Sequence, residues 1–176
     1  GEGGGQGISD LKIPIAYISG KFRHYLPDGK LDHPKMEAEV KAEQRWAGIV
    51  ARSGCAWFGP LANTHFLQAT IPDDEFIRRD LEIIRCLRLG IDVLLMRPGW
   101  KTSEGAQREL AEAQERGLEV VYGIQGEEVV AEYLAAKAEG RDLELEDALD
   151  VAEAERRLAN GKPLIPYEEV RERLDL

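Results

Sequence analysis

Glu109 is the residue of this chain whose type and position most clearly call for chemistry. It lies in "RPGWKTSEGAQRELAEA", Arg97 to Ala113. At about 100° per residue, Ala106, Leu110 and Ala113 form an apolar stripe, while Glu104, Arg108 and Glu115 fall on the opposite, solvated face. Glu109 falls about 40° to 60° from Ala113 and Ala106 by the geometry of the helix. Its carboxylate therefore points inward, or along the edge of the buried stripe. Such a placement costs several kcal/mol unless something pairs with the charge or uses it. Two readings follow: a helix-flank glutamate that reaches water or an arginine, or a catalytic carboxylate in a cleft.

The elements around it decide where that cleft would be. "IPIAYIS", Ile13 to Ser19, is an apolar, β-rich run that ends at Gly20 and reads as a buried parallel strand. A polar loop, "GKFRHYLPDGKLDHP", leads to a helix from about Lys35 to Ser53, with Met36, Val40, Trp46 and Val50 apolar. "CAWFGP" is a short second strand stopped by Gly59-Pro60. "IPDDEFIRRDLEIIRCLRLG" is a helix with Asp73 or Asp74 near its start and Gly90 after its end. "IDVLLM" is a third strand, the helix of Glu109 follows it, and "LEVVYG" is a fourth. Strands and helices alternating at this pitch predict an α/β, flavodoxin-like, doubly wound parallel sheet. In such sheets ligands bind beyond the carboxyl ends of the strands. The loops after Ser19, after Phe58 and at "PGWKTSEG" converge there, and Glu109 lies about one turn into the helix that the last of them starts.

Composition bounds the alternatives. The chain has 176 residues, 43% of them hydrophobic, and a formal net charge of −10. That predicts one α/β domain over residues 12–125, a flexible Gly-rich segment over 1–11 and a charged, helical extension over 126–176 that is split by Gly140 and by "NGKPLIP". The acidic balance argues against a nucleic-acid polymer as partner, while local Lys and Arg leave room for a small anion. Cys55 and Cys86 have no CxxC spacing and read as reduced and buried in a cytoplasmic protein. No apolar run reaches membrane-spanning length, no signal peptide is visible, and no His/Cys/carboxylate spacing suggests a metal or other cofactor.

Three segments, "AYISGKFR", "DDEFIRRDLEII" and "DVLLMRPGWKTSEGAQRELAEA", together resemble the nucleoside 2-deoxyribosyltransferase-like superfamily, which includes deoxynucleoside 5'-monophosphate N-glycosidases. The strongest element is Ser-x-Gly-x-x-x-Glu, here Ser103, Gly105 and Glu109. The resemblance implies that Glu109 is the nucleophile at the sugar C1', that Tyr17 orients it, and that Asp80 contacts the sugar and assists departure of the base. It implies that Gly20, Lys21 and Arg23 meet the 5' side of a nucleotide and that Ser103 and Gly105 contact a phosphate at the helix start. It also implies a homo-oligomer and a nucleoside or nucleoside monophosphate as substrate.

The chemistry of these residue types fits such roles. Cleavage of an N-glycosidic bond builds positive charge on the sugar, which a carboxylate beneath C1' stabilises or traps. A second acid protonates the leaving base. Bare amides at a helix start suit a phosphate, and glycine permits close approach. Plain structural roles stand beside these: a core tyrosine at Tyr17, an ion pair at Asp80, ordinary loop charges at Lys21 and Arg23, and close helix packing at Gly105. One turn from Asp80 stand Phe76, Ile77, Ile83 and Ile84, so a structural cation would have to come from another element.

Three further residues lie near the expected cleft. Asn63 suits a contact to base or sugar, or a loop cap. His65 alone reads as structural. Trp100 suits stacking on a base, or covering the sheet edge. The tail "LEDALDVAEAERRLANGKPLIPYEEVRERLDL" looks like the toxin-binding segments of bacterial type II antitoxins, which implies a basic protein partner; a structural arm in an oligomer is the alternative. The expected activity is hydrolysis of the N-glycosidic bond of a nucleoside 5'-monophosphate, with base exchange as the enzymatic alternative and a non-catalytic nucleotide-binding module as the other.

Overall fold

The computed structural model describes residues 12–64, 67, 70–145 and 147–149. The Gly-rich opening, His65 and the chain beyond residue 149, which holds all but the first few residues of the antitoxin-like segment that begins at Leu145, lie outside the described residues.

Four short strands form one parallel sheet: β1 (Ile15–Ser19), β2 (Ala56–Phe58), β3 (Val93–Met96) and β4 (Glu119–Tyr122). Their order is β2-β1-β3-β4, with Tyr17 beside Phe58 and Ser19 beside Met96. Strand alternation sorts the side chains into two layers. Ala16, Ile18, Val93 and Leu95 face one core with Trp46, Ile49 and Val50 of α1 (His33–Arg52). Tyr17, Leu94 and Met96 face the other, with Ile84 of α3 (Asp73–Cys86) and Ala106, Leu110 and Ala113 of α4 (Glu104–Arg116). The fold is thus α/β, flavodoxin-like and three-layered. Helix α5 (Glu127–Ala138), the first of the segment read as an extension, covers the α1 face with Val129, Val130, Tyr133 and Leu134. Among the described residues no helix is long and apolar enough to cross a membrane.

Local chemistry sets the boundaries, several of which differ from expectation. Helix α1 begins at His33 because the Asp32 carboxylate caps it, accepting from the Lys35 amide at 3.2 Å. Gly59-Pro60 does more than stop β2: Pro60 opens a five-residue helix, α2 (Pro60–Thr64). Helix α3 ends at Cys86, short of Gly90, because Asp92 draws the chain into a turn. Its carboxylate accepts from the Arg88 amide at 2.7 Å, from the Arg88 guanidinium, and from the Ile15 amide at the start of β1 at 2.8 Å. Cys86 is exposed there, contrary to expectation, because it ends an amphipathic helix on its outer side; Cys55 is buried as expected.

The chain runs from β1 outward to β2 and then crosses back to β3 on the other side of β1. The crevice between the carboxyl ends of β1 and β3 is therefore the topological switch point of the sheet.

Candidate active site

Tyr17 and Ser19 are two residues apart on β1, so both point to the α3–α4 layer. Both are fully buried at the switch point. Ser103 caps α4, accepting from the Ala106 amide at 3.3 Å, and so fixes which residues of the first turns face the strand ends. Glu109 meets the two hydroxyls there. The Tyr17 hydroxyl donates to Glu109 Oε1 at 2.9 Å, and the Ser19 hydroxyl donates to Glu109 Oε2. Glu109 is only 7% exposed. Its inward setting is confirmed, and the partners that hold it are hydroxyls of β1, not an arginine or bulk water.

In front of Glu109 opens a cleft of about 630 Å³. Asp80 of α3, the start of α4 from Ser103 to Ala106, the loop from Gly20 to Tyr25, and Glu43 of α1 all line it. Burial lifts the Asp80 carboxyl to about 7, and the nearby charge of Glu43 adds to the rise. Burial likewise lifts Glu109 to about 8; the Ser19 and Tyr17 hydroxyls pull it down, while Asp80 and Glu43 push it up. Burial and the same carboxylates hold the Tyr17 phenol well above its ordinary value, so it stays a donor. Two acids thus share one cleft and lose their protons one after the other near neutrality. Among the described residues no cation pairs with either.

The cations of the loop are engaged elsewhere. Lys21 Nζ donates to Thr102 Oγ1 at 3.1 Å across the cleft, and Arg23 forms an ion pair with Asp73 at the start of α3. Gly20 is required by packing: a Cβ there would lie 2.5 Å from Arg97 Nε. Gly105 is different. A Cβ on it would come no closer than 3.8 Å to Ile77, and its φ is not positive, so neither packing nor backbone requires glycine there. What remains at Gly105 is the cleft it lines.

Two candidates do not reach the cleft. The Asn63 side-chain amide donates to the Gly59 carbonyl at 2.9 Å and braces α2 from within, because the short helix turns it back on its own start. Trp100 packs on Tyr122 of the edge strand β4, with ring centroids 6.0 Å apart, and so covers the sheet edge.

Three neighbours of the cleft were not singled out from the sequence. Ser19 was signalled by its place two residues after Tyr17 on one strand. Glu43 was signalled as Glu109 was: it interrupts the apolar stripe Met36, Val40, Trp46, Val50 of α1 at helical spacing. Arg97 is 2% exposed and ties the loop down, donating to the Lys21 carbonyl and to Glu39, each at 2.9 Å. An arginine after a buried strand carried no distinguishing pattern.

Fold and cleft define a doubly wound α/β domain with a carboxylate site at its switch point. The chain belongs to the family described as Domain of unknown function (DUF4406), which matches residues 16–122 and so spans β1 to β4 and the whole site. No curated protein matches it.

Proposed function

We propose that this protein cleaves the N-glycosidic bond of a nucleoside 5'-monophosphate, with Glu109 as nucleophile. The observation that carries the reading is Glu109 itself, a buried carboxylate gripped on both oxygens by Tyr17 and Ser19 and open to a cleft that holds a second acid, Asp80. The resemblance to the nucleoside 2-deoxyribosyltransferase-like superfamily assigns the same three residues, Tyr17, Asp80 and Glu109, to the same chemistry.

In this mechanism the Glu109 carboxylate attacks C1' as the C1'–N bond breaks. The bonding pair leaves with the base, and Asp80 gives its proton to the base nitrogen. A glycosyl ester on Glu109 results. Water then attacks C1', its proton passes to Asp80, the ester bond between C1' and Glu109 breaks, and the sugar phosphate departs, leaving Glu109 as a carboxylate. Positive charge growing on the sugar favours the ionised form of the carboxylate beneath it, which draws the shared proton towards Asp80. The two hydroxyl donors act in the same direction on Glu109. The Gly105 amide and the Ser103 hydroxyl at the start of α4, with the ammonium of Lys21, supply a phosphate subsite, and the glycine with no packing duty keeps that helix start accessible; the Ser103 amide itself is bonded to the Trp100 carbonyl at 2.9 Å.

Incubation with a panel of nucleosides and nucleoside 5'-monophosphates, with release of free base followed by chromatography, tests the proposal. Free base and sugar phosphate should appear without an added acceptor. Base exchange with no net hydrolysis would assign the site to a transferase. No base released from any member would reject the reading.

A further inference from the structure

Glu43 and Arg97 are buried charged side chains beside the cleft that the mechanism does not use. Glu43 is seated on α2, accepting from the Leu61 and Ala62 amides at 3.1 and 2.8 Å. Arg97 follows the last residue of β3 and is 2% exposed. Taking a guanidinium out of water is costly unless its donors find partners, and a buried ion pair adds little to stability over an apolar pair of the same volume. A buried arginine at the carboxyl end of a central strand therefore points to a task other than holding the core.

The task follows from where the sheet stops. β1 and β3 pair as far as Ser19 and Met96, and the Arg97 amide still donates to the Ser19 carbonyl at 2.8 Å. Were the parallel ladder to run on, the Lys21 carbonyl would accept from the amide of Gly99. The chain has turned away there: Gly99 stands at φ 87° and leads into the single helical turn Trp100–Thr102. The Arg97 guanidinium supplies the missing donor. One Nη donates to the Lys21 carbonyl and the other to Glu39 of α1, each at 2.9 Å. The second oxygen of Glu39 meets His24 Nε2 at 2.8 Å, so one linked pair holds the loop at Lys21 and again at His24.

The guanidinium lies against Gly20. Its Nε, which has no hydrogen-bond partner among the described residues, is the atom that a Cβ at position 20 would meet first, at 2.5 Å. The chain thus gives up a side chain to seat this cation under the loop. With its carbonyl fixed, Lys21 extends across the cleft, and its ammonium donates to Thr102 Oγ1 at 3.1 Å, beside Ser103 and Gly105 at the start of α4.

We propose that Arg97 is a positioning residue for substrate selection: seated against Gly20 and paired with Glu39, it holds the Lys21 carbonyl so that the Lys21 ammonium stands by the start of α4, and the site thereby prefers a phosphorylated substrate to the bare nucleoside. The role rests on the phosphate subsite of the glycosidic reading. Arg97 is not among the described residues that line the cleft, so it acts through the loop and not on the anion.

The test uses the full chain, with inorganic phosphate as the probe in isothermal titration calorimetry and with kinetics on a nucleoside and its 5'-monophosphate. Wild type, Arg97→Met, Lys21→Ala and the double variant form a cycle. Arg97→Met keeps the bulk and removes both donors. It should weaken phosphate binding, and raise the monophosphate KM, about tenfold, with kcat/KM on the nucleoside changed less than about twofold. Lys21→Ala should likewise cost about tenfold in the wild-type chain but less than about twofold in Arg97→Met, because the lysine has already lost its place. Additive losses overturn the proposal, and so do equal losses on the two substrates; either makes Arg97 a brace for the fold alone. In the wild-type chain, NMR should show Arg97 Nη protons that exchange slowly and keep their shifts when phosphate is added, while Lys21 Nζ moves. Fast exchange, or an Arg97 shift as large as that of Lys21, overturns the proposal even if Arg97→Met does not fold. A wild-type chain that binds no inorganic phosphate overturns it as well. If phosphate binds with the expected coupling and no glycoside releases base, the glycosidic reading falls, and the hold of Arg97 on the anion site stands.

Discussion

The Ser19 hydroxyl donates to the Glu109 carboxylate across a separation of 90 residues, and it does so from the last residue of the central strand β1. The bond joins the two sides of the switch point. It also counters burial, because a donor on the ionised form lowers the pKa of the acid that accepts from it. Ser19→Ala should therefore raise the Glu109 titration further and slow the reaction. A hydrogen bond to a charged group contributes roughly 1.5–3 kcal/mol, which corresponds to about 10- to 150-fold in kcat. Substrate affinity should hold. A Ser19→Ala enzyme with unchanged kcat and pH profile would reduce Ser19 to a core hydroxyl.

Glu109→Gln removes the proposed nucleophile and keeps its shape. Turnover should fall on the order of 10³-fold or more, several kcal/mol of barrier, with binding retained. The fitting control on the same helix is Glu115→Gln. Glu115 is fully on the solvated side, whereas Glu104, although exposed, lines the cleft. Normal turnover by Glu109→Gln would remove the centre of the mechanism.

The two acids predict a bell-shaped pH profile. The pair carries one proton between about 7, where Asp80 titrates, and about 8, where Glu109 does. Only that form supplies both a nucleophile and a proton, once the shared proton, which the higher value leaves on Glu109, has been drawn to Asp80 by the charge growing on the sugar. The rate of base release per enzyme should peak between those values and fall on both sides. A flat profile from pH 6 to 9 contradicts the pairing.

Stability carries the opposite mark of the same burial. Glu109 titrates near 8 in the folded chain, above its ordinary 4.5, so the folded state holds a proton that the unfolded state has lost. Its favourable contribution is full below pH 4.5 and disappears as pH rises through 8, a change on the order of a few kcal/mol. Asp92 acts in the other direction: burial would raise it, but the hydrogen bonds from Arg88 and the Ile15 amide hold it below its ordinary value, so its contribution is lost only on acidification. The Tm of Glu109→Gln should therefore gain on that of the wild type as pH is raised from 5 to 8. A constant gap across that range, measured by thermal unfolding, would mean that Glu109 is not buried as a proton-bearing acid.

Arg23 offers a test of the phosphate subsite. It is held by Asp73, and Lys21 by Thr102. Lys21→Ala together with Arg23→Ala should raise KM for monophosphates about tenfold or more and barely alter it for nucleosides, at roughly 1.5–3 kcal/mol per charge-assisted contact. Asp73→Asn frees Arg23 and should lower the monophosphate KM. Equal losses on both substrate types would show that these cations hold the loop.

What the sequence made legible follows from which signals are local. The four strands and the inward glutamate on α4 are patterns within a few residues, and each is found where periodicity puts it. The caps at Asp32 and Ser103 were not read, and the first of them starts α1 at His33 rather than at about Lys35. The placement of Asp80 on the cleft follows from the fold once α3 is granted. Asn63 and Trp100 were not decidable in this way. An asparagine after Gly-Pro caps a short helix or meets a ligand with the same donors, and a tryptophan after Pro-Gly packs on an edge or on a base with the same ring. Glu43 broke its stripe as plainly as Glu109 did. Its meaning, however, lay in α2, a helix of five residues whose opening Gly59-Pro60 reads as a stop.

The order of the strands has a consequence for how the site comes into being. β1 is the middle of the fold and the earliest of its strands in the chain, yet its two hydroxyls meet their acid only after the chain has travelled to β2, returned across β1 and laid down β3. Closures of 90 and 92 residues are slow compared with the helices, which form locally within about a microsecond. Assembly of the Glu109 site, and with it the proposed activity, should thus trail the helical signal during refolding. For a chain still being synthesised, the site does not exist until α4 has emerged from the ribosome.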